Sequence, residues 1–243
     1  MGKALVEEPT LAALLPTVFG FSDDFFEFVT GDMWTDLSAD AGATIASTAI
    51  VGGGVLLTTG AVDNNEAVLH TTNIIGKIAV GKPLIAECRL QYAEAATDDA
   101  NVGFGIMSSM GIDPLLDNGA GPKGNYSGAV IYKTDSDTTN GNVWKCETAD
   151  GATKVNTILT AANSLDKTAK TAGGSAAAVL RITIETISST QCEVVFTIDG
   201  ITVAKHLATY ANAANFSAFV AAKAGGANSE TVTVDYIKFY QKR

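Results

Sequence analysis

The most constraining feature of this sequence is a side-chain period of two. In Leu84-Ile85-Ala86-Glu87-Cys88-Arg89-Leu90-Gln91-Tyr92, one face reads Leu, Ala, Cys, Leu, Tyr and the other carries Glu, Arg and Gln. Successive strand side chains point to opposite sides, so this pattern belongs to an antiparallel strand buried on one face. Residues 178–187 repeat it, with Leu180, Ile182 and Ile184 inward, and Cys192–Ile198 does so again. Asp199-Gly200 then separates Ile198 from the alternating run that starts at Ile201. A type I′ hairpin turn requires positive φ at both central residues, and Asp-Gly supplies it.

Further strand candidates lie at 25–29, 44–51, 54–60, 66–72, 102–108, 127–133, 142–147, 216–222 and 230–240. About a dozen short strands separated by Gly, Asn and Asp predict an all-β sandwich or barrel. Short helices are predicted only at Thr10–Leu15 and over 208–214. Residues 160–177 are small and polar and read as a long mobile connection. The expected organisation is an N-terminal arm, residues 1–21, followed by one sandwich domain over 22–243.

Length and charge narrow the function classes. A chain of 243 residues can bury roughly 70–75% of its unfolded surface, enough to fold without a metal or disulfide. The net charge is −10 and the only arginines are Arg89, Arg181 and Arg243. Wrapping nucleic acid requires clustered cations, so nucleic acid is not an expected partner. No window reaches the ~20 apolar residues of a membrane span, and Glu7, Glu8, Pro9 and Pro16 spoil the start as a signal peptide. Cys88, Cys146 and Cys192 are few, odd in number and far apart, which predicts reduced core thiols made in a reducing cytoplasm.

Catalytic constellations are missing. His70 and His206 have no metal-type spacing to one another or to a cysteine. The sequence holds no G-x-S-x-G elbow and no phosphate-binding glycine loop; Gly52-Gly53-Gly54 reads as a turn between strands. Glu66, Glu87, Glu185 and Glu193 fall on the polar phase of their strands and are expected on a solvated face. The loop Asp135–Gly141 with Glu147 downstream has the chemistry of a calcium loop, with Asp135, Asp137 and Asn140 as ligands. Its glycine and glutamate each miss the calcium-loop position by one, and Asp and Asn also make turns without an ion. No cofactor is therefore expected. Trp34, Trp144, Tyr126 and Tyr132 are candidate sugar-stacking rings, with core packing as the favoured role and Trp144–Tyr132 as a core pair.

The chain resembles the concanavalin A-like lectin/glucanase jelly rolls. The matching stretches are Ser22-Asp23-Asp24-Phe25 with Trp34, Gly53–Thr58, Ile85–Leu90, Asn101–Ile106, Val195–Gly200 and Val234–Tyr240. This resemblance implies two stacked, curved antiparallel sheets of six or seven strands. It leaves function open, because such a scaffold hosts lectins, hydrolases and structural modules. The E-x-D-x-x-E strand of the glucanases is absent here, which removes the hydrolase inheritance.

The chain is also similar to jelly-roll components of tailed-phage virions. That resemblance implies a non-enzymatic decoration or cement protein on a virion assembled in the host cytoplasm. Its partners would be the major capsid protein or another virion protein, and it would form a homo-oligomer such as a trimer. The arm residues Leu11, Leu14, Leu15, Val18, Phe19 and Phe21 would make the contact, since unpaired they form an exposed apolar patch. The alternative is a carbohydrate-binding module or viral adhesin, with a glycan on an exposed Trp144 or Tyr126.

Overall fold

The computed structural model describes residues 18–97, 99–135, 139–173, 176–210 and 215–242. The strands are β1 (Val18–Asp23), β2 (Trp34–Asp36), β3 (Thr44–Ser47), β4 (Val55–Thr58), β5 (Glu66–Thr71), β6 (Gly76–Lys77), β7 (Leu84–Ala93) and β8 (Ala100–Met107). They continue as β9 (Tyr126–Lys133), β10 (Lys145–Gly151), β11 (Thr153–Ile158), β12 (Ala178–Thr186), β13 (Gln191–Ile198), β14 (Ile201–Thr209), β15 (Asn215–Ala224) and β16 (Thr231–Lys242). One 3-10 turn, Asp117–Gly119, is the helical element among the described residues.

These strands form two antiparallel sheets, a jelly-roll sandwich. The first runs β14-β13-β12-β7-β16-β4-β3, with β1 also on β16; the second runs β11-β10-β9-β8-β15-β5-β2, with β6 on β15. The alternating phase does the sorting. From the first sheet Ala86, Cys88, Leu90, Leu180, Ile182, Ile184, Val194 and Phe196 turn inward. They meet Val102, Phe104, Ile106, Ala129, Ile131, Ala218 and Val220 of the second. The Asp199-Gly200 hairpin has φ of 50° and 80° at its two central residues, as a type I′ turn requires.

All three cysteines are free and buried. Burial in this apolar layer pushes the Cys88 and Cys146 thiols well up and Cys192 to about 11. His206 bridges the sheets: its Nδ1 lies 3.1 Å from Thr148 Oγ1 and its Nε2 2.9 Å from Thr157 Oγ1. Burial lowers its pKa to about 4, so the ring is neutral near pH 7.

Several elements differ from the sequence expectation. Residues 25–29 form no strand: Phe25 has φ 55° and its N–H donates to Asp23 Oδ1, an Asx turn that breaks the alternation. Residues 208–209 end β14, where ladder bonds to Cys192 and Gln191 outweigh local helix preference; 211–214 lie outside the described residues, as does Thr10–Leu15. The stretch after Leu159 is tied down, with Trp144 N donating to Lys170 O and Leu165 N to Val203 O.

β1 begins at Val18, inside the segment assigned to the arm. It pairs with β16 from Val18↔Lys242 to Asp23↔Ile237. Phe21 is not free for a partner: its ring packs on Trp34 at 5.8 Å and on Phe239 at 6.3 Å. Phe19 stays 37% exposed. Leu11, Leu14 and Leu15 lie outside the described residues.

Candidate functional site

The outer face of the second sheet is also dry. Along β8, β9 and β15 the odd–even partners of the core residues form a second apolar layer: Met107, Val130, Tyr132, Phe219 and Ala221, with Val68 of β5 and Ala149 of β10. Residues 108–125, between β8 and β9, fold back over this layer. Leu115 is driven down onto it, 1% exposed, above Gly103, where a Cβ would sit 3.1 Å from the leucine. The absent side chain at Gly103 is what lets the segment approach. Its backbone is closed by Leu116 N to Gly121 O at 2.8 Å and Lys123 N to Pro114 O at 3.0 Å.

One corner of this cover is built from charge. Lys223 of β15 is fully buried, and its Nζ donates to Asp113 Oδ1 and to Asp117 Oδ1, both at 2.6 Å. Glu66 of β5 lies beneath them: Oε1 accepts from Asp113 N at 2.8 Å, and Oε2 faces Lys223 at 3.6 Å. Burial raises the Glu66 pKa, against the pull of the Asp113 N–H and of Lys223. Burial also works against the Lys223 ammonium, but the two aspartates outweigh it and hold its pKa above the ordinary lysine value. The outer ends of the corner face water. Asp113 and Asp117 side chains are 48% and 58% exposed, and Asn118 N donates to Asn64 Oδ1 at 2.7 Å. Asn64, Asp113 and Asn118 all adopt positive φ, between 53° and 68°. Loops fixed in sparsely populated backbone conformations gather at ligand sites.

A second polar cluster occupies the β9–β11 side of the same face. Buried Tyr126 donates to Glu147 Oε1 at 2.9 Å, and Lys154 Nζ lies 2.9 Å from the same oxygen. Asn156 donates to Glu147 Oε2 at 3.3 Å and to the Tyr132 hydroxyl. Burial raises the Tyr126 hydroxyl well above its ordinary value, helped by the neighbouring Glu147 charge.

Of the four glutamates expected on a solvated face, Glu185 and Glu193 do face water, whereas Glu66 and Glu87 do not. Glu66, Glu87 and Glu147 are all buried, because cations or overlying residues cover the polar phase of their strands. Glu87 lies under Arg181 and accepts from the Tyr236 hydroxyl at 3.0 Å. Glu66 and Glu147 are separated by the steps β5-β15-β8-β9-β10, roughly 19 Å at the usual interstrand spacing and far beyond a glycosidase pair. Asp113 and Asp117 do converge, with oxygens within about 5 Å of each other, the separation of a retaining pair. The gap between them, where a scissile bond would sit, is filled by the Lys223 ammonium group.

None of the aromatic candidates offers a sugar platform. Trp34, Tyr126, Tyr132 and Trp144 are all at most 4% exposed. Trp144 packs edge-on against Tyr92 in the inter-sheet core, whereas Tyr132 faces the outer layer, so the expected Trp144–Tyr132 pair does not form. Asp135 N donates to Asn101 Oδ1, a long-range bond to β8, and Asn140 O accepts from Val143 N in a turn; Asp137 lies outside the described residues. Among the described residues no group of three His, Cys, Asp or Glu could hold a metal ion, and no helix is long and apolar enough to cross a membrane. The Asp113–Asp117–Lys223 corner escaped the sequence reading. The only local signal was Asp-Pro-Leu-Leu-Asp-Asn-Gly in an otherwise featureless stretch.

Solved structures match this architecture along nearly its whole length. The fold is that of the concanavalin A-like lectins and glucanases. The carbohydrate recognition domain of Emp47p is 14% identical, covers 92% of this chain and 96% of its own, and has a TM-score of 0.60. An endo-β-1,4-glucuronan lyase from the fungus Trichoderma reesei is 12% identical over 90% and 94%, with a TM-score of 0.61. An endo-1,3-β-glucanase from Streptomyces sioyaensis is 13% identical over 93% and 96%, with a TM-score of 0.59. No protein-family model matches the chain, and no curated protein matches it.

Proposed function

We propose that this chain is a carbohydrate-binding module that holds a glycan without cleaving it. The seat is the corner formed by Asn64, Asp113, Asp117 and Asn118. One observation carries the reading: a fully buried lysine fixes two half-exposed aspartates at the edge of a water-excluding surface. Carboxylates and amides held in this way accept and donate hydrogen bonds to neighbouring hydroxyls, and their fixed geometry reduces the ordering cost of binding. The fold shared with a carbohydrate recognition domain supports the same conclusion. So does the lysine between the aspartates, which occupies the place a glucanase or lyase needs for its substrate. A place on a virion surface finds no support in the similar structures, and glycan recognition takes precedence over it.

A glycan array followed by calorimetry tests this. The wild-type chain is expected to bind a discrete set of glycans. The double variant Asp117→Ala, Asn118→Ala should lose at least tenfold in affinity with its unfolding transition unchanged. No reducing ends or unsaturated products should appear on prolonged incubation. A blank array, or release of product, overturns the proposal.

A further inference from the structure

The corner at Asp113 and Asp117 is short of positive charge. Four carboxylates converge on it. Asp113 and Asp117 accept from Lys223 through their Oδ1 atoms, Glu66 lies beneath, and Asp40 Oδ2 accepts from Glu66 N at 2.7 Å. Lys223 is the one cation paired with them among the described residues. Lys123, whose backbone N–H donates to Pro114 O beside Asp113, directs its ammonium to Ser109 O. One ammonium among four carboxylates leaves three negative charges uncompensated, and two when Glu66, raised by burial, holds a proton.

A second observation is independent of that count. Glu66 is 4% exposed, and its Oε2 has no hydrogen-bond donor among the described residues; the Lys223 ammonium, at 3.6 Å, is beyond hydrogen-bond reach. A buried carboxylate oxygen without a donor is destabilising, and here it shows that one lysine does not serve the whole group. On the water side, Asp113 Oδ2 and Asp117 Oδ2 receive no hydrogen bond from a described residue. Apolar contact is at hand, with Ile112 beside Asp113 61% exposed and Val62, two residues before Asn64, 58% exposed.

With the glycan-binding reading as its premise, we propose that the corner selects amino sugars, whose free ammonium binds the outer oxygens of Asp113 and Asp117 while Asn64 and Asn118 take the flanking hydroxyls. An ammonium brings three donors and the missing positive charge, and charge-assisted hydrogen bonds are about twice as strong as neutral ones. Acetylation removes the charge and leaves one donor. A uronate brings a like charge to a site already acidic and is rejected by repulsion. Exposed ion pairs contribute little where two flexible side chains must first be ordered. Lys223 has already ordered both aspartates, so that cost is absent here.

An array printed with each glycan in free-amine and N-acetylated form, beside a uronic-acid set, tests the selection. The expected result is binding about tenfold tighter to the free-amine member of a pair, and little to the uronates. The preference should shrink severalfold as salt rises from about 0.01 M to about 1 M, where the screening length falls from about 30 Å to about 3 Å. Asp117→Asn, at a half-exposed side chain, should remove most of it with the unfolding transition unchanged. Glu185→Gln removes the same charge from the exposed outside of the first sheet and should keep it. Equal binding within the pairs, or a preference for uronates, overturns the selection and leaves glycan binding at the corner standing. A preference that survives Asp117→Asn, or that Glu185→Gln removes equally, belongs to the net charge of the chain and overturns it as well. A blank array overturns the glycan reading and the selection together.

Discussion

The inward face of the second sheet meets the first sheet through Val102, Phe104, Ile106, Ala129 and Ile131, whereas its outward face meets the chain's own segment 108–125 through Leu115. Both faces exclude water, by different means. Between the sheets, alternating apolar residues from distant strands interlock; the polar exceptions include the neutral His206 between Thr148 and Thr157 and, at the end of β9, buried Lys133 paired with Glu94 over the Tyr92 ring. Outside, a loop covers a thinner apolar layer and is pinned by charge at Lys223. Hydrophobic contact scales with area, and a single short segment offers little of it, so ion pairs supply the fixation. A cover held by charge is a place where polar groups reach water in fixed positions. The inter-sheet core can present none.

The comparison can be broken from the inside first. Phe196→Ala removes a fully buried inter-sheet ring and should cost roughly 3–5 kcal/mol in urea unfolding, with the outer-face loop unaffected. Lys223→Ala should cost less, about 2–3 kcal/mol, because Asp113 and Asp117 regain water while Glu66 stays buried without its cation. Its signature is local: amide exchange at Asp113 and Leu116 should quicken before global unfolding. Slow exchange there in the variant would mean that Leu115 alone holds the cover.

Acid sharpens the contrast. The folded chain resists protonating His206 until pH is about 4, whereas its unfolded counterpart takes the proton near 6.5. Stability from this residue is therefore complete above 6.5 and falls as pH drops toward 4, by on the order of 3 kcal/mol. Glu66 works the other way, since its raised pKa favours the protonated folded state as pH falls. Comparing wild type with His206→Gln between pH 7 and 4 isolates the histidine, and parallel curves would refute its role. The smallest effect belongs to the outside of the first sheet: Leu207→Ser, at a 59% exposed position, should stay within about 0.5 kcal/mol.

What could be read from the sequence follows the same division. The alternation in 84–92, 178–187 and 192–198 gave the strands and their inward faces, and Asp199-Gly200 gave its hairpin, because these depend on neighbours in the chain. β11 went unseen, since Thr153–Ile158 is an edge strand with four of its six residues exposed and no apolar phase to detect. β1 was assigned to the arm because Val18, Phe19 and Phe21 look like a loose apolar run until β16 is beside them. The site was illegible for a stronger reason. Lys223 meets Asp113 and Asp117 from 110 and 106 residues away, and nothing around any one of them signals the other two. The polar phase that looked solvated at Glu66 is covered by a segment with no periodicity of its own. Cutting the arm at residue 20 would also remove half of β1, so a truncation that spares the sandwich must end before Val18.

The most direct test of the central claim is a crystal structure of the chain bound to the best oligosaccharide found on the array. The account predicts sugar density over Asn64, Asp113, Asp117 and Asn118, with the glycosidic bonds intact and Lys223 still beneath its two aspartates. Density confined to another surface, or a cleaved ligand lying between Asp113 and Asp117 with the lysine displaced, would contradict it.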